Sequence, residues 1–427
     1  MRAGNEREAA AAALAEIISG GYNNLVLRKT LASPALSQSQ RNFITEAVNG
    51  TLRNLIYIDY VIDNVSKTPA KRMKPLVLNT LRAAVYELLF MSGAPDYAVC
   101  SEAVNIVKNN GLAGLSGFVN GVLRNILRKK DSITFPESPG DYLSVKYSYQ
   151  PWIVEEFLRE LGFDETEEMF KANNRPPRLT VRVNTLKTTS AALISALAGE
   201  GVSAAPSEYV ENAVTLSGSN DIAALKAFSG GLFHVMGESS MLAVNALDPK
   251  PGQDVLDLCS APGGKAFMAA QMMNNKGRIL CRDIHGHKLD LVSKSAERLG
   301  IDIIETELFD AAKTDPESKQ AFDLVLADLP CTGLGIVRKK PDIKYTKKPE
   351  DVGALAALQR KILSAAAAYV RPGGTLVYST CTLTRPENQG SADWFVQSFD
   401  FEEESRRRVL PQHMDGDGFF IAKFRKR

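Results

Sequence analysis

Two of the chain's five cysteines stand where chemistry could be done. Cys331 lies in "DLPCTGLG" and Cys381, fifty residues later, in "LVYSTCTLT", each just after an apolar run that reads as a strand. The five, at positions 100, 259, 281, 331 and 381, are odd in number and lack the CxxC spacing of a zinc site, so they read as reduced thiols, either buried or reactive. Reactivity needs the thiolate, and hence positive charge or helix amides nearby. A second candidate is the loop "CSAPGGKAF", comprising Cys259, Ser260, Ala261, Pro262, Gly263, Gly264 and Lys265. Its glycine pair lets backbone approach a ligand, and the helix that follows offers unpaired amides. Asp283, Asp310 and Asp328 close three successive strand-like runs after it. A carboxylate at Asp283 suits both hydroxyls of a ribose. Any one of these aspartates alone could be a helix cap, but a row of them along successive strand ends points to a ligand edge. With neither GxGxxG nor GxxxxGK[ST] present, a nucleoside ligand without phosphates fits best.

The elements that must hold these residues follow from periodicity. From Pro251 the strand-like segments "DVLDLC", "RILCRDI", "IDIIETEL", "FDLVLADL" and "GTLVYST" alternate with helical ones, which requires a parallel sheet covered on both faces. Ligands of such a sheet bind outside the carboxyl ends of its strands. "RRRVLP" and "GFFIAKFRK", with no helix between them, read as an antiparallel hairpin at the sheet edge. Residues 142–250 form a small α+β unit, and the polar stretch 131–141 reads as a linker. Residues 1–130 are all-α, with about six helices, the first opened by a capping box from Asn5 to Glu8. That region holds 16 Lys and Arg against 9 Asp and Glu, although the whole chain carries only +2, so it is the portion expected to meet a polyanion. A hydrophobic fraction of 44% and a charged fraction of 23% exclude the disordered classes. No uncharged run is long enough for a membrane, and a cytoplasmic protein is expected. His234, His285, His287 and His413 form no pattern of metal ligands, so no metal is expected. Cys100 and Cys281, inside a helix and a strand, read as core residues, and Cys259 as packing beside the ligand.

"LDLCSAPGGK", "ADLPCTGLGIVRKKPDIKY" and "GGTLVYSTCTLTRPENQ", in this order, resemble the S-adenosylmethionine-dependent RNA cytosine-5 methyltransferases. "VNGTLRNL" and "FVNGVLRNILR" in the helical region resemble the RNA-binding NusB fold, and "NNRPPRLTVRVNTLK" the small RNA-contacting domain of these enzymes. The three-part order is similar to the RsmB (Sun/Fmu) family, which acts on a cytosine of 16S ribosomal RNA. The resemblance implies a Rossmann-like methyltransferase domain over residues 251–427, with S-adenosylmethionine held by residues 259–265, Asp283, Asp310 and Asp328. It makes Cys381 the nucleophile, assigns Cys331 to loss of the carbon 5 proton and release of the enzyme, and sets Asp328 against ring nitrogen 3. Thiolate addition to carbon 6 is needed because carbon 5 of an aromatic cytosine is a poor nucleophile. Where the family has a Gln-Asp-Glu-like run, this chain has "VMGESS", which keeps Glu238 but presents Met236 and Gly237. RNA contacts are expected from "VRKKPDIKYTKK", residues 337–348, with six basic groups against one acid, and in particular from Arg338, Lys339, Lys340 and Lys344. The target base must be flipped or single-stranded to reach a thiol. A monomer is expected. Two other readings stand beside this one: a DNA-type enzyme using the Pro-Cys thiol as nucleophile, and an RNA-binding antitermination or assembly factor without catalysis. Transfer RNA is an alternative substrate.

Overall fold

The computed structural model describes residues 5–218 and 221–427, which form two compact units. The first runs to Arg175 and takes in Val337–Lys347; the second comprises Pro176–Ile336 and Lys348–Arg427.

The first unit is helical. Asn5 caps its first helix, Glu6–Ile18, by accepting from the amides of Arg7 and Glu8, both at 3.1 Å. Helices Asn23–Leu31, Gln38–Arg53, Leu55–Val65, Pro75–Phe90, Asp96–Val107 and Ser116–Lys129 follow. Among the described residues this is one α-helix more than expected before Lys130. The long apolar-periodic stretch breaks at Asn54, whose φ of −119° and ψ of 22° leave the helix and whose Nδ2 donates to Gly50 O at 2.9 Å. Apolar faces of four of these helices converge on a core that includes Ile58, Val61, Leu81, Val85, Val107, Val119 and Leu123. The stretch 131–141, expected as a linker, lies inside this unit. Phe135 stacks on Tyr57 with centroids 5.8 Å apart and meets Tyr142 edge-on at 5.7 Å, which ties the polar stretch to its flanks. Helices Pro139–Tyr147, Pro151–Leu161 and Phe163–Asn173 complete the unit, packed through Tyr149 stacked on Phe170 at 3.7 Å.

The second unit has two sheets. Strands β1 (Leu179–Val183), β2 (Ser203–Pro206), β3 (Ala213–Ser217) and β4 (Phe233–Val235) form an antiparallel sheet in the order β2-β3-β1-β4. Asn184, just past β1, donates from Nδ2 to Gly231 O and to Leu299 O, both at 2.8 Å, joining this sheet to the larger one's helical layer. The large sheet contains β5 (Asp254–Asp257), β6 (Arg278–Asp283), β7 (Ile304–Leu308), β8 (Phe322–Asp328), β9 (Val370–Thr380), β10 (Phe401–Val409) and β11 (Phe419–Lys426), ordered β10-β11-β9-β8-β5-β6-β7. From β9 to β7 all neighbours are parallel, and β10 and β11 form the antiparallel hairpin at one edge.

Alternation sends neighbouring residues to opposite faces. Val255, Leu324 and Leu326 join one core with Met268 and Ala270; Leu256, Val325 and Ala327 join the other with Ile362 and Ala366. From β5 the chain moves outward to β6 and β7, then returns to build β8 and β9 on the other side. The switch point therefore lies between β5 and β8, and the loops after β5, β8 and β9 all open there.

Candidate active site

Strand β5 ends at Asp257, which is 1% exposed, and no side-chain donor meets either of its carboxylate oxygens. The chain then turns sharply, the Ser260 amide donating to Arg282 O at 2.9 Å and the Gly263 amide to Ser260 O at 2.7 Å across Ala261 and Pro262. Gly263 sits at φ +99°, and a Cβ there would lie 2.4 Å from the Phe267 ring, so only glycine fits. Helix Gly264–Met272 begins at the next residue, and its first amides face the loop. Ser260 is buried beside the Cys281 thiol. Asp283, at the end of β6, uses Oδ1 to accept its own turn amide, His285 N, at 2.9 Å; exposed Asp310 does the same with Ala312 N at 3.0 Å. Asp257, whose carboxylate meets no side-chain donor, and Ser260 beside a glycine turn and a helix start are a donor and acceptor set that fits a nucleoside with a charged amino-acid tail. Cys259 contributes packing, since burial pushes its thiol far above the ordinary range.

Across the switch point, Cys331 and Cys381 bring their sulfurs within 3.3 Å of each other. Asp328, at the end of β8, accepts from Lys265 Nζ at 2.5 Å and from Ser379 Oγ at 2.7 Å. Burial works against the Lys265 ammonium, but Asp328 and then Asp257 outweigh it, so this cation stays charged within electrostatic reach of Cys381. The hydrogen bond with Cys381, reinforced by burial, pushes the Cys331 thiol well above its ordinary value. Cys331 is thus protonated at neutral pH. Asp257 is pushed up to about 7, first by burial, with Lys265 opposing. A carboxyl raised on folding binds more protons in the native state, so its contribution to stability is present below pH 4 and lost as pH rises towards 7. In ligand-free protein, Asp257→Asn should flatten that loss, which ~1.4 kcal/mol per pH unit bounds at about 4 kcal/mol. Urea titrations of both proteins across this range measure it.

The basic run departs from expectation. Lys339 and Lys340 are exposed, but Arg338 is 4% exposed and Lys344 fully buried within the helical unit. Lys344 Nζ donates to Arg53 O at 3.1 Å, Tyr147 O at 2.8 Å and Asn174 Oδ1 at 2.7 Å, and lies 4.1 Å from the centre of the Tyr149 ring. The next residue follows it in, Tyr345 OH donating to Leu52 O at 2.7 Å. Lys344 therefore cannot bind phosphate as expected, because its three donors are spent inside the fold. Glu238 is buried too, accepting from Ser207 Oγ at 2.5 Å. Burial drives His234 down to about 3, leaving it neutral. Among the described residues no group of three or more His, Cys, Asp or Glu could hold a metal ion, and no helix is long and apolar enough to cross a membrane.

Sequence reasoning passed over several residues that the structure brings to this edge. Asp257 was signalled by a charge within an apolar strand, "VLDLC". Ser379 was signalled by its place at the end of β9, two residues before Cys381. Glu387 and Asn388 stand in "TRPENQ" and had no local signal beyond nearness to Cys381.

A glycine turn without a phosphate fingerprint, at the switch point of a mostly parallel seven-stranded sheet, places the chain among the S-adenosylmethionine-dependent methyltransferases, and comparison with known proteins narrows this. Residues 244–425 match the family described as 16S rRNA methyltransferase RsmB/F, residues 4–128 the NusB family, and residues 149–223 the RsmF/B-like ferredoxin-like domain. The chain is 40% identical over 426 residues to a probable ribosomal RNA small subunit methyltransferase B of Bacillus subtilis (strain 168), with 95% of each covered. It is 31% identical over 427 residues to the corresponding protein of Synechocystis sp., again with 95% of each covered. The solved structure of PH0851 superposes with a TM-score of 0.83 at 28% identity, covering 99% of this chain and 98% of the other. The chain belongs to the ribosomal RNA small subunit methyltransferase B family.

Proposed function

We propose that the protein methylates carbon 5 of a cytosine in 16S ribosomal RNA, with Cys381 as the attacking thiolate. The observation that carries this is the pair of sulfurs 3.3 Å apart beside the Lys265–Asp328 ion pair. A single thiol would suffice for addition alone; a second, beside the first, is placed to take the proton that must leave later.

Bound S-adenosylmethionine supplies the electrophilic methyl group. Gly263, Gly264 and the start of the helix hold its amino-acid end together with Ser260 and Asp257, and Asp283 holds its ribose. Lys265 supplies the positive potential that a thiolate needs. The Cys381 sulfur adds to carbon 6, and the displaced electron pair makes carbon 5 nucleophilic. Asp328, fixed by Lys265 and Ser379, accepts a hydrogen bond from protonated ring nitrogen 3 of the adduct. After transfer, Cys331 takes the carbon 5 proton as its thiolate, the electron pair returns to the ring, and the carbon 6–sulfur bond breaks to regenerate Cys381. Before this, Cys331, which is only partly buried, releases its own proton to solvent water, so that one proton leaves the site in each turnover. Residues 1–130, 142–250 and exposed Lys339 and Lys340 serve the RNA, and residues 251–427 the chemistry. The protein acts as a monomer in the cytoplasm, where its substrate is made.

Asp283→Ala should weaken S-adenosylmethionine binding roughly ten-fold or more, since charge-assisted hydrogen bonds contribute about 1.5–3 kcal/mol. Calorimetric titration measures this, and an unchanged dissociation constant removes Asp283 from the site. The substrate is tested by supplying labelled S-adenosylmethionine with deproteinised 16S RNA or bulk transfer RNA and digesting to nucleosides. Label in 5-methylcytidine from 16S RNA is expected. Label from transfer RNA alone would assign the other substrate.

A further inference from the structure

The chain neighbours of both thiols are tied to one buried polar cluster that the proposed chemistry leaves unused. Glu387 is fully buried. Its Oε1 accepts from the Thr332 amide at 2.8 Å and from Gln359 Nε2 at 3.3 Å, and its Oε2 from the hydroxyls of Thr332 at 2.6 Å and Thr384 at 2.7 Å. The Thr332 and Thr382 hydroxyls lie 2.7 Å apart. Because Thr332 gives its one proton to the carboxylate, Thr382 must donate to Thr332, so the chain of hydroxyls has a single direction. Asn388 accepts from Thr380 Oγ1 at 2.5 Å and donates to Thr382 O at 3.0 Å. Gln359 Nε2 also donates to Pro330 O at 2.9 Å.

Pro330 and Thr332 flank Cys331, and Thr380 and Thr382 flank Cys381. All four are therefore gripped by Glu387, Asn388 and Gln359 or by each other. A buried carboxylate is costly unless its hydrogen bonds are made, and here four donors converge on it. Those donors also oppose the burial that raises its pKa.

We propose that Glu387, with Asn388, is a positioning residue that sets the spacing of the Cys331 and Cys381 sulfurs, so that attack and proton removal serve the same ring. The inference rests on the roles proposed for the two thiols. Glu387→Gln keeps the size of the side chain but puts an NH₂ group where two hydroxyls donated, so Thr332 and Thr384 must turn to accept, which reverses the chain of hydroxyls and weakens the grip on the loops bearing the cysteines.

The experiment uses the full-length protein and two kinds of readout. Steady-state methylation gives kcat and the KM for RNA. Independently, dithiodipyridine is added and the Cys331–Cys381 disulfide is followed by mass spectrometry of the linked peptides; two thiols lose two protons and two electrons, and the reagent becomes two thiopyridones. For Glu387→Gln, kcat should fall about 100-fold, as misplacement of reacting groups by an ångström costs. KM should stay within about two-fold, and cross-linking should slow in step with kcat. Thr332→Val, which breaks the same chain of hydroxyls, is measured in parallel and should behave alike even if Glu387→Gln does not fold; Thr332→Ser should match the wild type. Unchanged kcat in the folded variants, or a lost kcat with cross-linking at the wild-type rate, overturns the proposal. If Cys381→Ala still methylates RNA, the thiol roles fail instead, and cross-linking still reports whether Glu387 sets the spacing.

Discussion

Cys381→Ala is expected to lose all methyl transfer and to form no covalent complex with RNA, whereas Cys331→Ala should accumulate one. The difference follows from where each acts. Without the Cys381 sulfur the ring is never activated. Without Cys331, Cys381 still has Lys265 near it, so addition and transfer proceed, but the group that removes the carbon 5 proton is gone. Methylated RNA then stays attached, and turnover fails. Incubating each variant with substrate RNA and S-adenosylmethionine, followed by denaturing electrophoresis, shows the complex as a slow band that nuclease removes. A band from Cys381→Ala and none from Cys331→Ala would indicate the DNA-type order, with the Pro-Cys thiol attacking. Methylation retained in both would make the pair a matter of packing alone.

Lys344→Met is expected to cost the helical unit roughly 3 kcal/mol or more, because three buried acceptors lose their donor at about 1–3 kcal/mol each. Urea denaturation measures this. The wild type should also gain stability as pH rises towards 10.5 in a way the variant does not: burial, and then the charge of Arg53, pushes the folded amine well below 10.5, so between those values the unfolded chain binds the extra proton. Replacing both Lys339 and Lys340 by Ala should lower RNA affinity and flatten its salt dependence by about two phosphate contacts. If Lys344→Met folds with wild-type stability and loses RNA affinity instead, the buried assignment is wrong.

Lys344 shows where sequence stops being legible. A lysine in a run of six basic residues reads as solvated, and what buries it is backbone carbonyls at Arg53 and Tyr147, far away in the chain, which carry no signature in any side chain. Glu387 is similar: its partner Thr332 is 55 residues away, and nothing local marks the meeting. By contrast, the parallel sheet was legible because a strand covered on both faces carries an unbroken apolar run, as in the "LVLA" of β8. The edge hairpin was legible because the segment between β10 and β11 is too short for a crossover, holding only the single turn Pro411–Met414. Gly263 announced the turn, since its neighbouring ring leaves no room for a Cβ. The stretch expected as a linker carries one residue the polar pattern hid, Phe135, whose ring ties it to the helices on both sides.

The claim that Cys381 attacks the base is tested most directly by trapping wild-type protein on substrate RNA carrying 5-azacytidine, which has no carbon 5 hydrogen to lose and so blocks release. Protease and nuclease digestion followed by tandem mass spectrometry then identifies the cysteine that carries the nucleotide. The expected result is a single modified peptide containing Cys381, with the Cys331 peptide unmodified. A nucleotide on Cys331 would contradict the account.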